Sequence, residues 1–270
     1  MSTGKILLTG GAGFIGKYFQ KAADCYVYDL VNGDDIRDKY KLDVLIENEQ
    51  FDTVINLAAR AGVKFSEQYP EEYFSTNVLG LQNIIQLCEK HNCRLIHFST
   101  SSVFKPQQRP LKEDDIKEPI SNYGISKLVG ELLIKKSRTN WTIIRPFTVL
   151  GGTGRKGMII DRWLTQIKKG EPVTFYGDGT TSRGYTYAED LVRGTLMSTP
   201  GDFNIGGDQV VTLNDMWNIF HEVYPKATRK MLPLPKFDVP NAIADTSKVL
   251  REFGWKPETN IKIKIKEWIQ

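Results

Sequence analysis

The stretch "LTGGAGFIG", residues 8–16, follows directly on the apolar run "KILL" and carries glycines three apart at Gly10, Gly13 and Gly16. A backbone this bare between a strand and a helix lets the chain approach a ligand closely. The helix that follows presents unpaired N–H groups to a phosphate. The next apolar run, "CYVYD", ends in Asp29, and that places a carboxylate at the tip of a second strand. Such a carboxylate can accept hydrogen bonds from the hydroxyls of an adenosine ribose and repels a 2′-phosphate. Strand, glycines, helix, strand and terminal Asp together predict a dinucleotide site, with NAD favoured over NADP.

Short β-branched or apolar runs at 5–9, 25–29, 52–57, 94–99 and 141–145 alternate with stretches of helical periodicity. Over 76–91, Val78, Leu81, Ile84, Ile85 and Cys88 recur at helical spacing. From Tyr123 to Lys136, Ile125, Leu128, Val129 and Leu132 fall on one side. Such alternation predicts an α/β chain: a Rossmann-type, doubly wound parallel sheet covered by helices on both faces. From about residue 151 the pattern loosens into the loops "GGTGRKG", "YGDGTTSRG" and "PLPKFDVP". Residues 1–150 are therefore expected to form the dinucleotide-binding domain, joined by a returning segment near 185–205. Residues 151–270 are expected to be mostly a smaller C-terminal substrate-binding lobe. The closing "IKIKIKEWIQ" suits a helix with Ile265, Trp268 and Ile269 on one side, a covering element with a solvated lysine face.

Charge and composition exclude several function classes. Thirty-six basic and 32 acidic residues spread along 270 positions leave a net charge of only +4, which does not indicate a dedicated nucleic-acid protein. Three cysteines and three histidines give neither metal-ligand spacing nor a disulfide framework, so no metal is expected and a reducing, cytoplasmic setting is. No apolar run is long enough for a signal peptide or a membrane span, so no membrane partner is expected.

A second constellation is "YGISK". Tyr123 and Lys127 stand four apart, on one face of a helix, and an ammonium beside a phenol favours the phenolate that a general base needs. The segment before it, "HFSTSSVF" (97–104), brings a cluster of hydroxyls to a strand end, where a parallel sheet places its ligands.

Taken in order, "TGGAGFIG", "DIRD" (35–38), "NLAA" (56–59), "STSSVF" (99–104), "YGISK", "RP" (145–146), "YGDG" (176–179), "SRGYTYAEDLVRG" (182–194) and "NIGG" (204–207) resemble the extended short-chain dehydrogenase/reductase superfamily. Within it they look like the NAD-dependent epimerase/dehydratase family acting on nucleotide sugars. The resemblance implies that Gly10, Gly13, Phe14, Ile15, Gly16, Asp29 and Pro146 contact NAD, that Asp35 and Ile36 border its adenine, and that Leu57, Ala58 and Ala59 line its central portion. It implies Thr100 as the catalytic Ser/Thr, Tyr123 as the base, and Lys127 as the residue holding the nicotinamide ribose.

The family's reactions differ at the residues after Thr100. Relatives that dehydrate sugars carry Asp-Glu there, and the family's decarboxylases a Glu at the second position. Ser101 and Ser102 offer hydroxyls only, as in the 4-epimerases. Phe104 stands where those enzymes usually have Tyr and is similar to the 4-keto-sugar reductases, which keeps a reductase as an alternative. "VINLAARAGVKFS" and "RPFTVLGGTGRKGM" look most like the UDP-glucuronate 4-epimerases, where a Thr and an Arg seven residues later contact the uronate carboxylate. Thr148 and Arg155 match that spacing. An Arg fork with a hydroxyl can fix a carboxylate and so suppress decarboxylation of a β-keto acid. Arg183 in "SRGYTY" corresponds to the residue that holds the pyrophosphate, although Gly184 replaces an Asp common in relatives. Only five residues, "LVNGD", separate Asp29 from "DIRD", so the elements on the adenine side are expected to be reduced. In this family the counterparts of the helices at 76–91 and 123–136 form a four-helix bundle across a two-fold axis, which implies a homodimer. A non-catalytic NAD(H)-binding regulator is the other alternative; such members often lose the Tyr or the Lys, and both are present here.

Overall fold

Short runs rich in Ile, Leu and Val make strands that bury both faces. The computed structural model describes residues 4–152, 157–236 and 238–270, and these runs become β1 (Ile6–Thr9), β2 (Tyr26–Tyr28), β3 (Thr53–Asn56), β4 (Arg94–Phe98) and β5 (Trp141–Pro146). A sixth strand, β6 (Gly201–Ile205), adds to the edge beside β5. All pairings are parallel and the order is β6-β5-β4-β3-β1-β2.

Alternate residues of a strand face opposite sides, so one sheet feeds two cores. Leu7, Val54, Leu95 and Ile143 pack with residues of the helices Lys39–Glu49, Leu81–His91 and Asn122–Lys136. Leu8, Ile55, Ile96 and Ile144 pack with Phe19 of helix Gly16–Ala22 and with Leu191 and Val192 of helix Ala188–Met197. β2 and β3 lie on opposite sides of β1, and a parallel sheet takes its ligand in the crevice at such a reversal.

The periodicity over 76–91 covers two kinds of turn. The α-helix begins at Leu81, and residues Ser75–Gly80 form a wider π-turn before it. The wide turn directs Asn77 inward, where its amide accepts from the Arg60 N–H at 2.8 Å and donates to the Arg60 carbonyl at 3.0 Å. Between β2 and β3 lie only a short 3-10 turn (Leu30–Asn32) and the helix Lys39–Glu49, and β2 is the edge of the sheet.

The second half of the chain builds a smaller core around Trp163, Phe175, Phe220 and Ile265. The C-terminal helix Ile261–Ile269 buries Ile261, Ile265 and Ile269 there, with Trp268 partly buried against the same core. The division is not one of sequence. Helix Ala188–Met197, β6 and also helix Ser247–Phe253 return to the main sheet, the last burying Val249 next to Trp255. Trp255 is anchored there by donating from Nε1 to the Asp190 carbonyl at 3.0 Å. Among the described residues no helix is long and apolar enough to cross a membrane.

Candidate active site

The glycine turn stands at the C-terminal end of β1. Gly10 has φ +71°, and a Cβ there would lie 2.6 Å from the Ala58 nitrogen, so only glycine lets β1 exit this close to the chain leaving β3. A Cβ on Gly16 would overlap the Gly11 carbonyl, which holds the helix start tight under the turn. Asp29 follows β2 and braces the same turn: Oδ2 accepts from the Ala12 N–H at 2.9 Å, and Oδ1 from the Val31 N–H at 3.1 Å.

From this turn a cleft of about 430 Å³ runs across the sheet ends. Gly10, Gly13, Phe14, Ile15, Gly16, Leu57 and Ala59 line one end, and Thr100, Ser101, Ser102, Tyr123, Lys127, Pro146 and Thr148 line the other. Ala58 sits against Gly10 rather than on the lining. Asp29, Asp35 and Ile36 also stand outside it, at the β2 edge. There the Arg37 guanidinium, hydrogen-bonded to both Asp35 oxygens, holds that carboxyl below its usual range, and Ile36 is buried. A bare turn, a helix N-terminus and an elongated cleft fit a dinucleotide.

Local sequence explains why Thr100, Tyr123 and Lys127 converge. Thr100 caps the 3-10 turn Ser101–Val103, its Oγ1 accepting from the Ser102 N–H at 3.1 Å. Ser121 caps the next helix by accepting from the Gly124 N–H at 3.1 Å. A Cβ on Gly124 would strike the Ser102 carbonyl, so the glycine inside "YGISK" allows the helix to lie directly on the Thr100 loop. Tyr123 thereby shares the cleft with Thr100, its ring edge-on to Tyr73 at 6.2 Å between centroids. Glu67 steadies this helix start, accepting from the Asn122 N–H at 2.9 Å.

Lys127, one turn further on, is 1% exposed. Burial brings its amine down to about 7, with the nearby Glu131 carboxylate opposing. Its Nζ lies 3.1 Å from His97 Nε2. Behind the Thr100 loop, Ser99 donates to Glu131 at 2.5 Å, and Arg145 donates twice to Glu131 and once to Asp202, each at 2.7 Å. Burial raises the Asp202 carboxyl, but Arg145 and Lys135 outweigh it and hold the group well below the carboxylate range. Asn56 and His97 open the segments "NLAA" and "HFSTSSVF", but Glu131 and Asp202 carry no motif signal; strand register and the packing of helix Asn122–Lys136 bring the four together under the cleft.

Beside the Thr100 end of the cleft, Ser101, Ser102, Thr148 and Arg183 line an adjoining cavity of about 180 Å³. Arg183 donates to Asp238 at 2.6 Å and to the Ser182 carbonyl at 2.8 Å. Asp238, from a proline-rich loop, is a member of this cavity that the motifs do not reveal. Arg155 lies outside the described residues.

A parallel sheet with a glycine turn at its switch point, and Thr, Tyr and Lys on one cleft, defines a dinucleotide-dependent enzyme of the short-chain dehydrogenase/reductase type. The model of the NAD-dependent epimerase/dehydratase family matches residues 6–206, and the chain belongs to that family. A UDP-glucuronate 4-epimerase of Thermodesulfobacterium geofontis is 33% identical, over 87% of this chain and 76% of that protein. The UDP-glucuronic acid 4-epimerase of Bacillus cereus, solved with UDP-glucuronic acid and NAD, is similar at TM-score 0.88 and 28% identity, with 98% of each chain covered. The UDP-glucose 4-epimerase of Thermotoga maritima, solved with UDP-glucose, is similar at TM-score 0.89 and 25% identity, over 98% of this chain and 97% of that one.

Proposed function

We propose that the chain is an NAD-dependent nucleotide-sugar 4-epimerase that interconverts UDP-glucuronate and UDP-galacturonate through a transient 4-keto sugar. The observation that carries this reading is the cleft lining itself. Thr100, Tyr123 and Lys127 meet there beside hydroxyl-bearing Ser101 and Ser102, and no carboxylate stands among the described lining residues. Such a lining can exchange the proton of a sugar hydroxyl but has no acid–base pair for expelling water.

NAD, when bound, supplies the hydride acceptor and donor for C4. Gly10, Gly13, Phe14, Ile15, Gly16, Leu57, Ala58, Ala59 and Pro146 would hold it, with Asp29 on the adenosine ribose, Asp35 and Ile36 at the adenine and Lys127 on the nicotinamide ribose. Tyr123 takes the proton from the sugar 4-hydroxyl, and Thr100 hydrogen-bonds the same oxygen, steadying its negative charge. The keto sugar turns in the cleft, presents its other face, and recovers the proton from Tyr123. Thr148 and Arg155 clamp the uronate carboxylate, and Arg183 holds the pyrophosphate, for which it exchanges part of its pairing with Asp238.

Phe104 does not favour the 4-keto-sugar reductases. Its ring is buried, packs near Phe147 and lies 5.3 Å from the Arg145 guanidinium while also lining the adjoining cavity, so packing accounts for it without a reductase. Exposed Leu79, Ile125 and Leu132 on the neighbouring helical segments support a homodimer through those segments. Free Cys25, Cys88 and Cys93 are compatible with a reducing cytoplasmic setting. Incubation with UDP-glucuronate, followed by NMR and by absorbance at the NADH band, tests the activity: UDP-galacturonate should form with no net absorbance change. Stoichiometric consumption of NADPH with a 4-keto sugar, and no epimer, would contradict it.

A further inference from the structure

Under the floor of the cleft a row of polar side chains crosses three strands. Thr9 of β1 pairs with Asn56 of β3, and Asn56 with His97 of β4, in one register row. Thr9 Oγ1 lies 2.6 Å from Asn56 Oδ1, Asn56 Nδ2 lies 3.1 Å from His97 Nδ1, and His97 Nε2 lies 3.1 Å from Lys127 Nζ. Thr9, Asn56, His97 and Lys127 are each no more than 1% exposed. Polar groups so deep in a sheet are costly unless every one is paired.

Counting protons shows what the row can do. A neutral imidazole has one N–H and one lone pair, and an amide has one accepting and one donating end. When Asn56 donates to Nδ1, the ring proton must sit on Nε2, and that N–H can donate only to an uncharged Lys127 amine. When Lys127 is an ammonium, it donates to Nε2, the ring proton moves to Nδ1, and the Asn56 amide turns so that its carbonyl accepts and its NH₂ donates to Thr9. We propose that His97 is a positioning residue for the reaction, and that the Thr9–Asn56–His97 row changes its hydrogen-bond direction together with the charge on Lys127.

Burial holds the imidazole well below its usual range, with Lys127 adding to this, so His97 stays neutral and acts through its tautomer. The titratable groups around the pair are Tyr123 and Glu131 on the same helix, with Tyr73 against Tyr123 and with Arg145 and Asp202 holding Glu131. A charged Lys127 favours the anionic form of a neighbouring phenol, and a neutral one does not. The row therefore couples the interior of the sheet to the proton-transfer step.

This inference rests on the roles proposed for Tyr123 and Lys127, but its direct test needs no substrate. The chain has three histidines, and 15N NMR of histidine-labelled protein carrying its NAD reads the tautomer of each, with His97 assigned by its loss in His97→Gln. His97 should pass from the Nδ1–H form at low pH to the Nε2–H form at high pH without becoming imidazolium. A single tautomer from about pH 5.5 to about pH 9, around the ordinary titration range of histidine, overturns the proposal. In activity, His97→Phe should lower kcat about tenfold at neutral pH and leave KM within about twofold. It should also move the limb on which Lys127 loses its proton by about one pH unit toward acid, because the ammonium has lost its acceptor. His97→Gln, which can still accept from Lys127, should restore kcat to within about threefold. A folded His97→Phe whose pH limb does not move also overturns the proposal.

Discussion

The two ends of the cleft are built on different plans. The dinucleotide end is made of backbone: Gly10 at positive φ against Ala58, Gly16 under Gly11, and Asp29 bonded to main-chain N–H groups. At the end proposed for the sugar, the lining is made of side chains drawn from distant segments. Arg183 pairs with Asp238, 55 residues away, and Ser182 with Asn241 on a neighbouring strand. A backbone plan constrains which residues may stand in it, because a single Cβ fills the space. A side-chain plan can be rebuilt by substitution, so one cofactor end can serve relatives with different sugars.

Predictions follow from that contrast. Tyr123→Phe removes the proton-transfer group at the junction of the two ends. It should lower kcat by roughly 10²–10⁴-fold while NAD binding stays intact, as measured by turnover and by cofactor titration. Gly10→Ala strikes the backbone plan: a left-handed φ combined with an overlap at Ala58 should cost about 2–3 kcal/mol of stability and lower NAD affinity, read by denaturant melts and titration. Arg183→Ala strikes only the side-chain plan. It should raise KM for the UDP-sugar about tenfold and leave NAD affinity unchanged, since a partly wet charge-assisted contact is worth roughly 1.5 kcal/mol.

The smallest effect is on stability against pH. The Lys127 amine is depressed to about 7, so between that value and its unfolded pKa of about 10.4 the unfolded chain binds more protons than the folded one. Stability from this group therefore rises with pH through that window, by at most about 1.4 kcal/mol per pH unit. Denaturant melts at several pH values should show Lys127→Met losing that upward slope; an unchanged slope would contradict the burial of an ionisable amine.

The same contrast explains what could be read from the sequence. The glycine turn, the strand pattern and the Tyr123–Lys127 pair are legible because backbone geometry and helical spacing restrict residue type locally, whereas Thr100 is singled out only by the family resemblance of its segment. The contact between Asn56 and His97 is not legible, although both open quoted segments, because it depends on the register of strands 41 residues apart in sequence. The part played by Asp238 is not legible in "PLPKFDVP", because the fold of that loop follows from tertiary packing. The π-turn at Ser75–Gly80 is invisible to an apolar repeat that tolerates one residue of widening. Val249 and Trp255 read as part of the smaller lobe, yet they fill the main sheet's second core.

The central claim is that the hydrogen leaving C4 returns to C4 of the same sugar. UDP-glucuronate deuterated at C4, incubated with the protein in ordinary water, tests it directly. The account predicts UDP-galacturonate that keeps its deuterium at C4. Product carrying solvent hydrogen there, or deuterium lost to added cofactor, would contradict it.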